Sequence, residues 1–345
     1  MYKLANNFSK EEAMKKISTE RFSRRTLSFY RYIKIADPKH FRDTLYAQWS
    51  QLDALGRIYV SQEGINAQMN IPEPHWQAFL ANLESHSELI GMPLKIAVEE
   101  PTDSFWKLTI KVKHQIVADG LAPDTYDIAN VGTHLNAEEF NHLAEQPDTL
   151  IVDMRNAYES EIGHFENALC PDVDTFKEEL PLVSKTLENK KDKKLLLYCT
   201  GGIRCEKASA YLKNEGFENV YQLYGGIINY AHEVRAKNLP SKFKGKHFVF
   251  DERRAERITD DILSHCHQCA SPSDTHVNCA NEMCNLLFIQ CAQCQSAMST
   301  CCSLACQQLA SLPEHELATL RKHQSVKPKM FNKRGLMLNF ANEIV

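Results

Sequence analysis

Ten consecutive residues, Tyr198-Cys199-Thr200-Gly201-Gly202-Ile203-Arg204-Cys205-Glu206-Lys207, set a nucleophile where its anion is favoured. The run follows an apolar strand pattern (Leu195-Leu196-Leu197-Tyr198) and opens an amphipathic helix marked by Ala208, Tyr211, Leu212 and Phe217. The Cys199 thiol therefore stands where a strand ends, beside backbone N–H groups that the first turn of a helix leaves unpaired. Gly201 and Gly202, between Thr200 and Ile203, let the loop curl so that those groups point inward, and Arg204 closes it with a fixed positive charge. All three effects favour thiolate over thiol and should bring Cys199 below the ordinary thiol value of about 8.5. Cys205 offers a second thiol at the helix start. It is either a resolving thiol or, more simply, a helix residue facing the core.

A second chemistry lies downstream, where nine of the twelve cysteines fall between residues 266 and 306. Cys266-x-x-Cys269 and Cys291-x-x-Cys294 have the spacing by which two thiolates of one turn share a tetrahedral ion. Cys279 with Cys284, and Cys301 or Cys302 with Cys306, form looser pairs. Four pairs suffice for two four-thiolate zinc sites with one cysteine over. The simplest arrangement is interleaved, first pair with third and second with fourth. Adjacent pairing, or His265, His267 or His276 replacing a thiolate, stays open. Zinc is favoured over an iron–sulfur cluster because the pairs look like structural knuckles, although Ala270 and Gln295 stand where glycine often follows the second cysteine.

Residues 258–320 hold no Lys or Arg, so this module reads as a scaffold rather than a grip on phosphates. The cations flank it: eight against three acids in 235–257, and six against one in 321–345. Lys242, Lys244, Lys246, Arg253 and Arg254 are the candidate RNA contacts, and Lys327-Pro328-Lys329-Met330-Phe331-Asn332-Lys333-Arg334 mixes cations with an aromatic as single-strand-binding surfaces do.

The elements that must position the nucleophile are those of an α/β unit. Leu150-Ile151-Val152 reads as a strand and leads into Asp153-Met154-Arg155, Glu159 and Gly163-His164-Phe165, while Val220-Tyr221-Gln222-Leu223 is a further strand ending at Gly225-Gly226. This combination resembles the rhodanese homology domain, expected over 141–240. Asp153, Arg155 and Glu159 are expected to support the loop through ion pairs. The Cys-x-x-x-x-Arg loop is one residue shorter than the phosphate bowl of protein tyrosine phosphatases, which disfavours phosphatase activity and suits a persulfide or small oxyanion.

Upstream, 27–35 reads as an aromatic-rich strand, and Asp37-Pro38 caps a helix carrying Phe41, Leu45, Trp49 and Leu52 on one face. Strands at 57–60 and 65–69, a helix at 74–89 and strands at 94–98 and 108–112 complete a β-α-β-β-α-β order, a ferredoxin-like sandwich. It shows no catalytic constellation, though Ser61-Gln62-Glu63-Gly64-Ile65-Asn66-Ala67 is a distinctive turn. The expected organisation is a ferredoxin-like α+β domain (1–120), a linker (121–140), a parallel α/β rhodanese-like catalytic domain (141–240), a Cys-rich zinc module (241–310) and a basic tail (311–345).

At 345 residues the chain has room for several cores, and 43% hydrophobic with 24% charged residues is ordinary for a soluble protein. No apolar signal core opens it and no apolar run approaches the roughly 18 residues that span a bilayer, so no membrane association is expected. Many cysteines without a secretion signal argue for thiols and metal, hence a cytoplasmic location. No flavin, nicotinamide or haem signature is present, and no facial metal triad.

Taken together, Ser28-Phe29-Tyr30-Arg31-Tyr32, Glu63-Gly64-Ile65-Asn66-Ala67, Val117-Ala118-Asp119-Gly120, Asp153-Met154-Arg155-Asn156, Gly163-His164-Phe165-Glu166-Asn167-Ala168, the Cys199 loop, Phe248-Val249-Phe250-Asp251-Glu252-Arg253 and Cys266-His267-Gln268-Cys269 resemble the bacterial oxygen-dependent tRNA uridine hydroxylase family over almost the whole chain. The resemblance implies hydroxylation of the wobble uridine at C5 in the tRNA anticodon loop, with O2 as co-substrate and 5-hydroxyuridine as product. By the same resemblance Cys199 is the active-site cysteine, described as a persulfide by rhodanese analogy, and Cys170 has no assigned role. Two mechanisms compete: addition of the Cys199 thiolate to C6 of uracil, with Arg204 and the loop N–H groups holding an oxyanion, or sulfur transfer from a Cys199 persulfide. A non-catalytic RNA-binding adaptor is the third reading.

Overall fold

Alternation of closed and half-open positions along the first strands builds a sheet with two different faces. The structure, a computed structural model, describes residues 9–99, 104–122, 125–323, 330–332 and 336–338. Its first unit runs α1 (Lys10–Ser18), β1 (Arg24–Tyr32), α2 (Pro38–Gln51), β2 (Leu55–Ser61), β3 (Gly64–Pro72), α3 (Trp76–Glu84), β4 (Lys95–Ile96) and β5 (Leu108–Val112). The sheet order is β4-β1-β3-β2-β5, with β1 antiparallel to β3 and β4 and β2 antiparallel to β3. That is the split-βαβ order, extended by β5 lying parallel to β2. Leu27, Phe29, Ile58, Val60, Ala67 and Met69 point to one face and pack with Phe41, Leu45, Trp49 and Phe79 of the helices. Asp37 accepts from the N–H groups of Lys39 and His40 at 3.1 and 2.9 Å, which starts α2 where Pro38 needs no donor.

The alternate residues form the uncovered face. Register places Lys95, Ser28, Gln68 and Arg57 in one cross-strand row and Tyr30, Asn66 and Tyr59 in the next. Element edges differ from the sequence reading. The first strand starts at Arg24, pairing as far as Pro72, and the second helix spans only Trp76–Glu84 because Pro74 lies in a preceding 3-10 turn.

The second unit runs β6 (Thr133–Leu135), α4 (Ala137–Ala144), β7 (Thr149–Asp153), α5 (Ala157–Ser160), β8 (Gly163–Phe165), α6 (Phe176–Thr186), β9 (Lys194–Tyr198), α7 (Ile203–Asn214), β10 (Asn219–Leu223) and α8 (Gly226–Lys237). Strands β6-β10-β9-β7 form a parallel sheet. The continuous apolar run of β9 follows from burial on both faces. Leu195 and Leu197 pack with Val152, Leu180 and Leu212 on one side, and Leu196 and Tyr198 with Phe140, Phe165 and Tyr230 on the other. The segment read as a linker is built into the body. Thr133–Leu135 pairs with β10, and Ala137 and Phe140 are buried.

The chain continues through β11 (Phe243–Phe248), β12 (Ala255–Arg257), β13 (His276–Asn278), β14 (Leu287–Ile289), α9 (Ala292–Met298), α10 (Leu304–Ala310) and α11 (Glu314–His323). β11 pairs antiparallel with β8 and β12, stitching the cysteine-rich region to the parallel unit. Two polar contacts fasten it further: His267 Nε2 to Glu161 Oε1 at 3.0 Å, and Asp274 to Lys246 at 2.8 Å. Lys327, Lys329, Lys333 and Arg334 of the basic run lie outside the described residues. Among the described residues, no helix is long and apolar enough to cross a membrane.

The uncovered face of the first sheet is pressed onto the start of α7. Tyr30 Oη donates to Glu206 Oε1 at 2.9 Å, and Tyr32 Oη donates to the Ile203 carbonyl at 3.1 Å. Lys207, 2% exposed, reaches Glu63 at 2.9 Å and Asp119 at 3.0 Å, so the β2–β3 turn is anchored in the second unit. His232 Nε2 lies 2.9 Å from the Ile96 carbonyl.

Candidate active site

Cys199 follows the last residue of β9, and its sulfur receives the Gly202 N–H at 3.1 Å. Gly202 caps α7 at φ +97°, a conformation that favours glycine, and a Cβ built there would lie 2.8 Å from Tyr30 Oη. Gly226 supports the loop from below: a Cβ on it would meet the carbonyl oxygens of Cys199 and Thr200 at 2.5 and 2.6 Å. The N–H groups of Ile227 and Ile228 donate to those same carbonyls at 3.0 and 3.2 Å. The loop is thus fixed by its neighbours' backbones.

Burial alone pushes the Cys199 thiol up. The Cys205 thiol, the Arg204 charge and the N–H groups of Cys205 and Arg204 outweigh it and bring Cys199 down to about 6. Cys205, buried beside that thiolate, is pushed well above the ordinary thiol range by burial first and by Cys199 second, so it serves as a hydrogen-bond donor. Thr200 and Ile203 complete the loop wall.

Three residues expected to support the loop form two buried ion pairs. Glu159 takes Arg204 in a bidentate grip at 2.7 and 2.8 Å. Arg155, fully buried, donates to both oxygens of Asp153 at 2.8 and 2.6 Å and to the Gly163 carbonyl at 2.7 Å, while Tyr198 Oη donates to Asp153 at 2.7 Å. The Arg204 guanidinium is therefore committed to Glu159. Its charge lowers the thiol through space, and Glu159 takes two of its five N–H donors.

Over the thiol lies a cleft of about 490 Å³, within the range of about 300–1,000 Å³ typical of small-molecule sites. Its floor is the Cys199 loop, and its roof is the uncovered sheet face with Ser28, Tyr30, Tyr59, Asn66, Gln68 and Lys95. Phe250, Arg253 and Phe331 close the side. A second cavity of about 460 Å³ shares Arg57, Phe105, Phe250 and Phe331 with the first and adds Trp106, Lys107 and Arg254. In its sequence the first unit shows no catalytic constellation. The only trace of the roof is the polar alternation at Ser28/Tyr30 and Asn66/Gln68, which any half-exposed strand shows.

The candidate RNA-contacting cations are not brought together as a free patch. Lys242 pairs with Glu145 at 2.7 Å, Lys244 with Glu166 at 3.3 Å, Lys246 with Asp274 at 2.8 Å and Arg253 with Asp251 at 2.5 Å. Arg254 lines the second cavity and has no ion pair among the described residues. Arg57 and Lys107 are likewise outside the ion pairs there, with Lys107 Nζ 4.3 Å from the Trp106 ring.

The cysteines gather in two groups, Cys266, Cys269, Cys291 and Cys294, and Cys279, Cys284, Cys302 and Cys306, each with its sulfurs within 4.8 Å of one another. This is the interleaved arrangement, with Cys302 rather than Cys301 in the second group. Sulfur pairs stand at 3.6 Å (Cys269 with Cys291), 3.7 Å (Cys284 with Cys302) and 3.6 Å (Cys302 with Cys306). A tetrahedron with metal–sulfur bonds of about 2.3 Å has edges of about 3.8 Å, so both groups fit a metal ion. Ala270 follows the second cysteine at φ +60°, the conformation for which glycine is usual there.

Three family models match the chain: the UPF0176 acylphosphatase like domain over residues 24–116, the rhodanese-like domain over 136–233 and the rhodanese C-terminal domain over 244–307. The chain is 51% identical to the tRNA uridine(34) hydroxylase of Leptospira interrogans serogroup Icterohaemorrhagiae serovar Lai, over 96% of this chain and 90% of that protein. It is 50% identical to the protein of the same name from Pectobacterium carotovorum and 48% to that from Yersinia pestis, each over 97% of this chain and 95% of the relative.

Alkylation of Cys199 by iodoacetamide, followed by peptide mass spectrometry, should rise with pH through a midpoint near 6 and level off above it. The thiolate is the reactive form, so the rate grows as the proton leaves. A midpoint near the ordinary value of about 8.5 would mean that the loop does not stabilise the anion.

Proposed function

The chain belongs to the tRNA uridine(34) hydroxylase family, and we propose that it installs the hydroxyl on C5 of the wobble uridine in the cytoplasm, with O2 as co-substrate and Cys199 as nucleophile. The observation that carries this reading is the cleft: a thiol lowered to about 6 lies under a sheet face of amide and phenol side chains, in a space that a single base can enter. C5 and C6 of a stacked base are out of reach, so the uridine turns out of the anticodon loop to meet the sulfur. Addition of the thiolate to C6 makes C5 an electron-rich enolate carbon, the position at which O2 reacts. One oxygen atom remains on C5 and the other leaves as water, which takes two electrons and two protons from a reductant outside the chain. Loss of the C5 proton and of Cys199 from C6 then restores the ring as 5-hydroxyuracil. Sulfur transfer through a Cys199 persulfide has less support, since the matched relatives are named hydroxylases.

Phosphates flanking the flipped base are best served by cations not already held by acids. Arg57, Lys107 and Arg254 line the second cavity, whereas Lys242, Lys244 and Lys246 each hold a carboxylate. The cysteine groups act as two zinc sites that fix the C-terminal region against α5 and β11. Zinc suits four thiolates at these spacings and supplies folding energy rather than catalysis there.

Mass spectrometry of tRNA nucleosides after incubation with reductant should give 5-hydroxyuridine in air and none without oxygen. Cys199→Ser should abolish it, whereas Cys205→Ala should keep activity but raise the pH needed for it, because a donor to the thiolate is lost. The converse pattern would assign the nucleophile to Cys205. Elemental analysis should find two zinc ions per chain, and a value near zero in folded protein would remove the scaffold reading. In filter-binding salt titrations, the combined Arg57→Ala, Lys107→Ala and Arg254→Ala chain should lose about two to three units of slope. The Lys242→Ala, Lys244→Ala and Lys246→Ala chain should lose less than about one. The reverse order would return the RNA contacts to the basic segment.

A further inference from the structure

We infer that Lys95 is a catalytic residue of this cleft: its ammonium donates to O4 of the uracil that Cys199 attacks and holds the charge that addition at C6 drives onto that oxygen. The inference rests on the proposed hydroxylation and assigns it a residue from the first unit of the chain. Three observations converge on it. The first is position. Lys95 stands opposite Ser28 on the cleft roof, its Cδ 3.6 Å from the point where a Cβ on Gly201 would be, with Nζ 4.3 Å from the centre of the Tyr30 ring.

The second is commitment. Three other cations near the loop are held by carboxylates: Arg204 by Glu159, Lys207 by Glu63 and Asp119, and Arg253 by Asp251 and Glu256. Lys95 is in no ion pair among the described residues, and its contact with Tyr30 is to a ring face. The third is environment. Burial lowers the Lys95 ammonium to about 8, against the pull of Cys199 and Glu206, so the charge is carried at neutral pH at a desolvation cost those two offset only in part. An ammonium so placed makes no ion pair until an oxyanion develops beside it, and addition at C6 moves the charge it faces from the Cys199 sulfur to that oxygen, a preorganisation that lowers a barrier.

The electrons balance without a further reactant. The sulfur pair forms the bond to C6, the C5–C6 π pair moves to C4–C5, and the C4–O4 π pair goes to O4. Lys95 keeps its proton and donates a hydrogen bond, and the pairs return when the thiolate leaves.

Hydroxylation of the anticodon stem-loop by the full chain, measured at saturating RNA from pH 5 to 10, tests the inference. Around Lys95 stand Tyr30 on β1, Cys199 in the loop and Glu206 on α7, with Arg57 across the sheet and Asp251, Arg253 and Glu256 on the opposite wall. Wild-type activity should rise through about pH 6 as Cys199 ionises and fall above about 8 as Lys95 loses its proton. Lys95→Met keeps the stem and removes the charge. It should lower kcat about 100–1,000-fold, with Cys199 still alkylated at low pH as evidence of a folded loop. Lys95→Arg should retain much of the activity and lose the alkaline fall, since a guanidinium stays charged. Lys95→Met within threefold of wild type, or an unchanged alkaline fall in an active Lys95→Arg chain, would overturn the inference. A wild-type chain that forms no 5-hydroxyuridine at any pH would instead mark failure of the hydroxylation reading itself.

Discussion

The contact between Tyr30 and Gly202 governs the arrangement of this molecule. A two-layer sandwich covers one face of its sheet with helices and leaves the other to solvent or a partner. Here the open face rests on the start of a helix in the next unit, with a phenol oxygen 2.8 Å from where any side chain at Gly202 would begin. Only glycine permits both that approach and the φ of +97° that turns the loop N–H groups inward. The same contact makes the roof of the cleft and the shape of its floor. Hydrogen bonds from Tyr30 to Glu206 and from Tyr32 to the Ile203 carbonyl hold the two surfaces in register.

Electrostatics explains why the loop can keep an anion so far from water. Buried charges survive when paired and hydrogen-bonded, and Asp153 with Arg155 and Glu159 with Arg204 meet that condition, Arg204 alone of the four lining the cleft. Their task is to position the loop. The Arg204 guanidinium reaches the thiolate as a through-space charge, while the backbone N–H groups of Arg204 and Cys205 and the Cys205 thiol make the direct contacts. The division leaves Ser28, Tyr30, Tyr59, Asn66 and Gln68 on the roof of the cleft, with Lys95 and Arg57 as lining cations outside any ion pair among the described residues.

Much of this was legible locally. The run from Leu195 to Tyr198 reads as a buried strand because its side chains enter cores on both sides, and the cysteine-glycine-glycine-arginine order marks Cys199 as the candidate nucleophile by itself. The cysteine pairs likewise carry their interleaving in their spacing. What escaped was everything set by distant partners. Lys95 lies on a two-residue strand whose place comes from pairing with residues 27 and 28, nearly seventy positions earlier. The basic segment reads as a free patch until Glu145, Glu166 and Asp274 arrive from three other parts of the chain. Residues 121–140 look like a spacer because β6 is only three residues long and gains its strand character from β10.

The central claim is that the Cys199 thiolate adds to C6 and makes C5 carbanionic, a step that needs no oxygen. Incubating the anticodon stem-loop with the enzyme in D2O under anaerobic conditions isolates it. Addition of a solvent deuteron to the enolate at C5, followed by loss of the original C5 proton and of the thiolate, would return uridine carrying deuterium at C5. Mass spectrometry of the released nucleosides should find a gain of about one mass unit at the wobble position, absent with Cys199→Ala. Full hydroxylation in air with no anaerobic exchange would contradict addition at C6 and leave the cysteine another role.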